Sequence, residues 1–411
     1  MSLSTLFDEI KDPKNRPDPY PLYARLAGHP VVRQEDGTYL VSSHAAIRAL
    51  LFDPRISSAD LPPAKSPPTG NPFKDWILQP IKDEIVSRHR PLIFRDPPDH
   101  DALRRIVMTQ FTISRVNAMK ARAEAHLGEL LDKRCGAREI CVVEDIAYPL
   151  PVTIICEMLG VPREDEPTFQ GWATQLATAL EPDARHDEET QGQTRATFDA
   201  ISAYMKVLIK EKRRHPQDDM LSGLAAGTEA GAMGEFDLIA TSILLLVAGH
   251  ETTVNLIANG MLTLLRHPHE LERLRQDAER APRLVEEILR YEPPVHFRTR
   301  KALADIAIAG EVIPEGAPVV LLFAAANRDP ARFAEPRRFD PDRPDNQHFS
   351  FGGSLHYCLG APLARIEGEI ALVTLARRLI DPRLVDDPPP YREGASLRGP
   401  KTLRLSVDRI A

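Results

Sequence analysis

A chain of 411 residues with 43% hydrophobic and 27% charged content can bury a large core and has the balance of a soluble globular protein. Its net charge of −7 and pI near 6.0 argue against a nucleic-acid surface. Four cysteines at irregular spacing (135, 141, 156, 358) suggest neither a disulfide framework nor a zinc site. Met1 to Ile10 has no basic start and no long apolar run, so it does not read as a signal peptide. The apolar run Ile243 to Gly249 falls far short of the ~20 residues that span a bilayer. A cytoplasmic chain with no membrane and no nucleic-acid partner is the expectation.

Residues 17 to 52 read as a proline-rich start, a short helix and then strand. Val31-Val32 and Tyr39-Leu40-Val41 flank the turn Asp36-Gly37 and predict a hairpin. Residues 53 to 80 hold Pro62-Pro63, Pro67-Pro68 and Gly70, an irregular excursion. Asp96 to Asp99 are placed to cap a helix that carries His100 and Arg104 on one face. Taken alone, that pair is a solvated face. Residues 114 to 160 look largely helical and stop at Gly160; Cys156 within them reads as core packing. From 165 to 235 the pattern is polar and helical, interrupted at Glu181-Pro182-Asp183.

Glu235 to the residue before Pro268 predicts one long helix, about 50 Å at 1.5 Å per residue. It is apolar nearly all round between Ile243 and Val247, so its middle is buried. Into that middle falls Ala248-Gly249-His250-Glu251-Thr252-Thr253. Small residues at 248 and 249 let a flat ligand lie against the helix. Glu251 and Thr252 place an acid and a hydroxyl where neither belongs without partners. Either Thr252 bonds back to a carbonyl one turn earlier, or the pair handles protons. Residues 282 to 292 form another helix, with Glu287 and Arg290 off its apolar stripe; chemistry alone makes them a surface salt bridge worth under ~1 kcal/mol. Strands are expected at Val312-Ile313, Pro318 to Phe323 and Thr402 to Val407.

Phe349 to Arg365 is the stretch on which the rest depends. Gly352, Gly353 and Ser354 suit a tight turn. Pro362 suits the first turn of a helix, whose apolar positions are Leu359, Leu363, Ile366, Ile370 and Val373. Cys358 therefore sits just ahead of a helix N-terminus, where the dipole and free N–H groups favour a thiolate. A buried structural cysteine is the plain alternative.

The surroundings favour chemistry. This loop resembles the haem-binding loop of the cytochrome P450 family, Phe-Gly-x-Gly-x-His-x-Cys-x-Gly, matched by Phe351, Gly352, His356, Cys358 and Gly360. Ser354 stands in place of the pattern's second glycine and is tolerable if its φ is negative. Residues 248 to 253 match the family's Ala/Gly-Gly-x-Asp/Glu-Thr-Thr, and residues 287 to 290 match its Glu-x-x-Arg. The likeness runs over approximately residues 15 to 407.

The resemblance implies a mainly α fold with small β-sheets, the cytochrome P450 fold, as a single haem domain over 1–411 with no fused reductase. It implies haem b with Cys358 as the axial iron ligand. His100, Arg104, Arg300 and His356 would hold its propionates, with Arg298 the competitor to Arg300. Ala248, Gly249, Phe351 and Gly360 would lie against the ring. Glu251 and Thr252 would deliver protons, and Glu287, Arg290 and Arg338 would brace the core. Val247, Val295, His296 and Phe297 would face the substrate. Apolar residues of the flanking stretches (Trp76, Ile77, Ile81, Leu176) point to a largely apolar ligand. The reaction implied is insertion of one atom of O2 into a small organic substrate by a monomer. NAD(P)H electrons would arrive through a separate ferredoxin and its reductase. A peroxide-driven peroxygenase and a non-catalytic haem-thiolate sensor are the rivals, and the retained Glu251-Thr252 pair counts against both.

Overall fold

The computed structural model describes residues 2–59, 90–178, 188–229 and 233–411. Most of the proline-rich excursion, with Trp76, Ile77 and Ile81, and the interruption at Glu181-Pro182-Asp183 lie outside those residues. The architecture is mainly helical with small sheets, as expected.

The central helix, Glu235–Arg266, runs through the core with a nearly continuous buried stretch from Leu238 to Leu264. It is long and apolar enough to cross a membrane, but its apolar side chains are covered by the protein itself. Its neighbours are Pro149–Leu159, Glu166–Thr178, Ala281–Tyr291 and Ala361–Arg378. Two glycines set how closely it meets the last of these. A Cβ on Gly260 would stand 3.0 Å from Leu372, and one on Gly368 would stand 3.0 Å from Leu256. Both helices therefore approach backbone to side chain without a spacer.

Upstream, the helical region contains two features the periodicity hid. The short strand Glu139–Cys141 pairs with Arg404–Ser406, and a π-helical stretch, Val142–Ala147, feeds Tyr148 into the start of the next helix. That helix ends as expected at Gly160, with φ +79°.

Strands Val31–Arg33, Tyr39–Val41, Pro318–Leu321, Arg298–Ala302 and Ile56–Ser57 lie side by side in that order. The expected hairpin is present, with Val31 opposite Val41 and Arg33 opposite Tyr39. Its second strand runs parallel to Pro318–Leu321. Arg298–Ala302 pairs with that strand and puts Arg300 opposite Val319. The sheet thus carries two arginines of one strand to the edge of the helical core.

The helix bearing His100 and Arg104, Asp99–Met108, has no side-chain cap. Asp96 instead accepts from Ser57 and from the Ser58 amide, 2.9 Å away. Its carboxylate ties the small sheet to this helix.

Candidate functional site

A cavity of about 260 Å³ lies between the central helix, the loop before Ala361–Arg378 and the strand Arg298–Ala302. The central helix contributes Leu244, Leu245, Ala248, Gly249, Thr252, Thr253 and Leu256. That is one stripe at the helical period. Val295 and Phe297 enter from the segment leading into the strand, and Phe351, His356, Cys358 and Gly360 from the loop. His100 and Arg104 complete one corner with Arg300.

The loop is held by its own backbone. The Cys358 N–H donates to the Phe351 carbonyl at 2.9 Å, and the Gly352 N–H to Phe349 at 2.8 Å. Gly352 needs its glycine, at φ +68°. Ser354 does not have the negative φ expected of it: at +54° it occupies the left-handed region, which costs a non-glycine residue about 1–2 kcal/mol. Cys358 is accessible and lines the cavity. Burial pushes its thiol pKa up, against the pull of the Gly360 and Ala361 N–H groups and of Arg104 and Arg365. The helix N-terminus acts in the expected direction but loses to desolvation. A bound metal would remove the thiol proton outright.

Among the described residues, the corner formed by His100, Arg104, Arg300 and His356 is rich in donors, with Asp101 as its nearby carboxylate. The His100 and His356 rings are 4.4 Å apart. His100 Nδ1 meets Asp101 at 2.8 Å, but its Nε2 is buried with no partner among the described residues. His356 is driven down to about 3 by burial and by the charges of Arg300, His100 and Arg104. Arg104 also donates to the Tyr357 carbonyl at 2.7 Å. An orphaned ring nitrogen beside two arginines suits a buried anion. With a thiol in the same cavity and small residues at 248 and 249, the donor set fits a flat iron macrocycle carrying carboxylates.

Thr252 lines the cavity, and its hydroxyl donates to the Ala248 carbonyl at 2.7 Å. Glu251 does not line it. This buried residue's side chain leaves the helix on the other side, where Tyr148 OH donates to it at 3.0 Å and Arg392 forms an ion pair with it.

Five expectations are corrected. Val247 is buried in the core and away from the cavity, off the lining stripe. His296 alternates to the opposite side from Val295 and Phe297, where its Nδ1 meets Tyr23 OH at 2.8 Å. Arg338 is not the third side chain of the buried pair. Its guanidinium is at the surface, 3.2 Å from Glu335; only its carbonyl reaches Arg290, at 3.0 Å. Arg343, buried and 3.6 Å from Glu287, takes that place. The pair itself is no surface bridge: Glu287 and Arg290 are fully buried, with contacts of 2.6 and 2.8 Å. Leu176 belongs to the core and does not line the cavity.

Glu367 was missed. It is 2% exposed and lines the cavity from Ala361–Arg378. Its Oε2 has no partner among the described residues, and burial raises its pKa to about 8. It shares the buried face with Leu363, Ile370 and Ala371. The apolar pattern alone points past it.

Residues 69–407 match the family model for cytochrome P450. The chain is 37% identical to cytochrome P450 107B1 of Saccharopolyspora erythraea over 388 residues, covering 90% of each. It is 36% identical to the biotin biosynthesis cytochrome P450 of Bacillus subtilis, covering 95% of this chain and 96% of that one. Among solved structures, ligand-free CYP164A2 of Mycobacterium smegmatis superposes with a TM-score of 0.86 at 38% identity, over 98% of this chain and 100% of that one.

Proposed function

We propose that this chain, which belongs to the cytochrome P450 family and is a haem-binding monooxygenase of it, places one atom of O2 into a small, largely apolar organic substrate, with electrons from a separate ferredoxin and its reductase. The observation that carries this reading is the shared cavity of Cys358 and the Ala248–Thr253 stripe. Haem held by a thiolate supplies O–O cleavage, and the chain's own residues do the rest.

Cys358 would supply the thiolate that holds the haem iron. His100, Arg104, Arg300 and His356 would hold the propionates, which would give His100 Nε2, without a partner among the described residues, an acceptor. Ala248 and Gly249 leave room for the macrocycle on one side, and Phe351 and Gly360 bound it at the loop. Val295 and Phe297, with Leu244 and Leu245, give an apolar substrate its contacts and exclude water. Thr252 keeps its hydroxyl oxygen at the cavity while its proton rests on the Ala248 carbonyl. In that position it accepts from an ordered water and fixes where a proton arrives. Glu251, on the other side of the helix, exchanges protons with solvent and turns to pass them on. Glu287 and Arg290 brace the loop region from below and take no part in chemistry.

An electron donor would meet the loop from the Cys358 side. Leu355 and Tyr357 are exposed there, 44% and 40%. Arg104 and Arg365 both reach Tyr357, at 2.7 and 3.3 Å, and Arg105 is exposed nearby. Arg115 contributes less, being tied to Asp218 at 3.0 Å and Gln110 at 2.5 Å.

Thr252→Ala tests the reading. The variant should load haem and consume reducing equivalents, yet release most of them as peroxide rather than product. Product per reducing equivalent, measured beside peroxide, should fall by about 10²-fold, the lower range of positioned acid–base assistance. If coupling stays at the wild-type level, Thr252 only packs against its own helix through the Ala248 bond.

A further inference from the structure

The helix Pro149–Leu159 separates the haem cavity from a second one of about 260 Å³. Ile155 lines the first and Thr153 the second. Two residues along a helix is about 200° round it, so the two side chains point opposite ways. The cavities share no lining residue. His126, Glu129 and Lys133 form one wall of the second, on a single face at and just past the end of Ile113–Asp132. Arg163 and Glu166, at the start of Glu166–Thr178, form another. Part of this charge is used within the protein. Arg163 pairs with Glu129 at 3.0 Å, and His126 Nε2 meets Glu157 at 2.9 Å. Two opposite charges are left over. Glu166 Oε2 accepts from the Thr153 hydroxyl at 2.8 Å, but Oε1 is buried with no partner among the described residues. Lys133 is exposed, and its ammonium forms no ion pair with the described residues.

We propose that this second cavity binds a small zwitterion, whose ammonium reaches the Glu166 carboxylate and whose carboxylate reaches Lys133. A buried carboxylate oxygen without a donor is costly, and a ligand N–H supplies the donor. The exposed ammonium at the other side takes an anion through a charge-assisted bond. The volume lies below the roughly 300–1,000 Å³ of pockets for drug-sized ligands, which limits the occupant to about the size of an amino acid. Occupancy is felt in the haem cavity. Through Glu166 and Lys133 the ligand ties the first turn of Glu166–Thr178 to the end of Ile113–Asp132. Thr153, bonded to Glu166, brings Pro149–Leu159 into that tie. On the opposite side of the same helix, a Cβ on Gly249 would stand 3.7 Å from Ile155. Gly249 belongs to the stripe that lines the haem cavity. A close-packed helix passes a shift on one face to the other. The site stands apart from the haem, so its failure leaves the monooxygenase reading untouched.

The experiment uses the haem-loaded full chain at low ionic strength, with titration calorimetry and ligand-observed NMR as readouts. Glycine, β-alanine, γ-aminobutyrate and ε-aminocaproate vary the spacing between ammonium and carboxylate. At least one should bind, and about tenfold more tightly than the amine or the carboxylic acid of the same length, the worth of one charge-assisted bond. Glu166→Gln should remove the advantage over the acid, and Lys133→Gln the advantage over the amine. Phenylimidazole, bound in the haem cavity and read as a spectral shift, tests the coupling. Saturating zwitterion should change its dissociation constant about fivefold, and phenylimidazole should change that of the zwitterion by the same factor. If no member of the series binds more tightly than its single-charge analogues, the zwitterion site is overturned. If both variants keep the wild-type preference, the ligand sits elsewhere and the site is overturned as well. An amine that binds as tightly as the zwitterion would make this a cation site of Glu166 alone and end the role of Lys133. Unmoved dissociation constants would overturn the coupling through Pro149–Leu159.

Discussion

Two charged clusters stand near the haem loop, and they differ in completeness. Glu287 and Arg290 are buried entirely, yet all five Arg290 N–H groups are used. They reach both Glu287 oxygens and the carbonyls of Asn327, Pro336 and Arg338. Glu287 accepts further from the Asp340 amide at 2.8 Å and from Asn346 at 3.2 Å. The corner of His100, Arg104, Arg300 and His356 is the opposite. Its nearby carboxylate, Asp101, is 47% exposed and reaches only the outer nitrogen of His100. Among the described residues the inner nitrogen has no partner, and burial, with the charges of Arg300, His100 and Arg104, holds His356 well below its usual value. A complete buried cluster holds a fold together; a buried nitrogen such as His100 Nε2, without a partner among the described residues, suits a ligand that brings one.

The largest test breaks the complete cluster. Glu287→Ala leaves Arg290 buried without its counter-charge and should cost about 3–5 kcal/mol. Urea unfolding should show that loss with haem and without it. A variant as stable as wild type would mean that the carbonyls alone satisfy Arg290.

Breaking the incomplete cluster should do something different. Arg104→Ala with Arg300→Ala removes two donors worth about 1–3 kcal/mol each to a buried anion. The protein should purify mostly as apoprotein, while the unfolding midpoint of haem-free material stays near wild type. Full haem occupancy would place the propionates elsewhere.

The smallest effect concerns the loop between the two clusters. Ser354→Gly relieves a left-handed residue at about 1–2 kcal/mol but gives back about 0.5–1 kcal/mol of backbone entropy. A net gain of about 0.5–1 kcal/mol should appear as a raised thermal midpoint. A lowered midpoint would show that the serine is held by contacts that outweigh its strain.

Legibility followed distance along the chain. The loop at Cys358, the central helix and the Asp36-Gly37 hairpin are written in short stretches, and they fold as read save for the left-handed φ at Ser354. What the sequence hid lies in partners far apart. Arg392 meets Glu251 across 141 positions, and no local pattern joins them. Arg343 and Arg338 are five apart, and only the path of the chain after Pro336 decides which guanidinium turns inward. Other misses had a signal. Strand alternation separates His296 from Val295 and Phe297, and the stripe through Ala248 and Thr252 leaves Val247 and Glu251 behind it. Glu367 escaped because an acid on an apolar face reads as an interruption, although three- and four-residue spacing from Leu363 and Ala364 places it at the cavity.

Everything turns on the sulfur. The most direct measurement is the absorption spectrum of the reduced carbon monoxide complex, in wild type and in Cys358→His. Thiolate ligation predicts the long-wavelength Soret band in the wild type and its loss in the variant, with haem retained by the His100–Arg104–Arg300–His356 corner. The same band in both proteins would contradict the account, because the ligand would then not be Cys358.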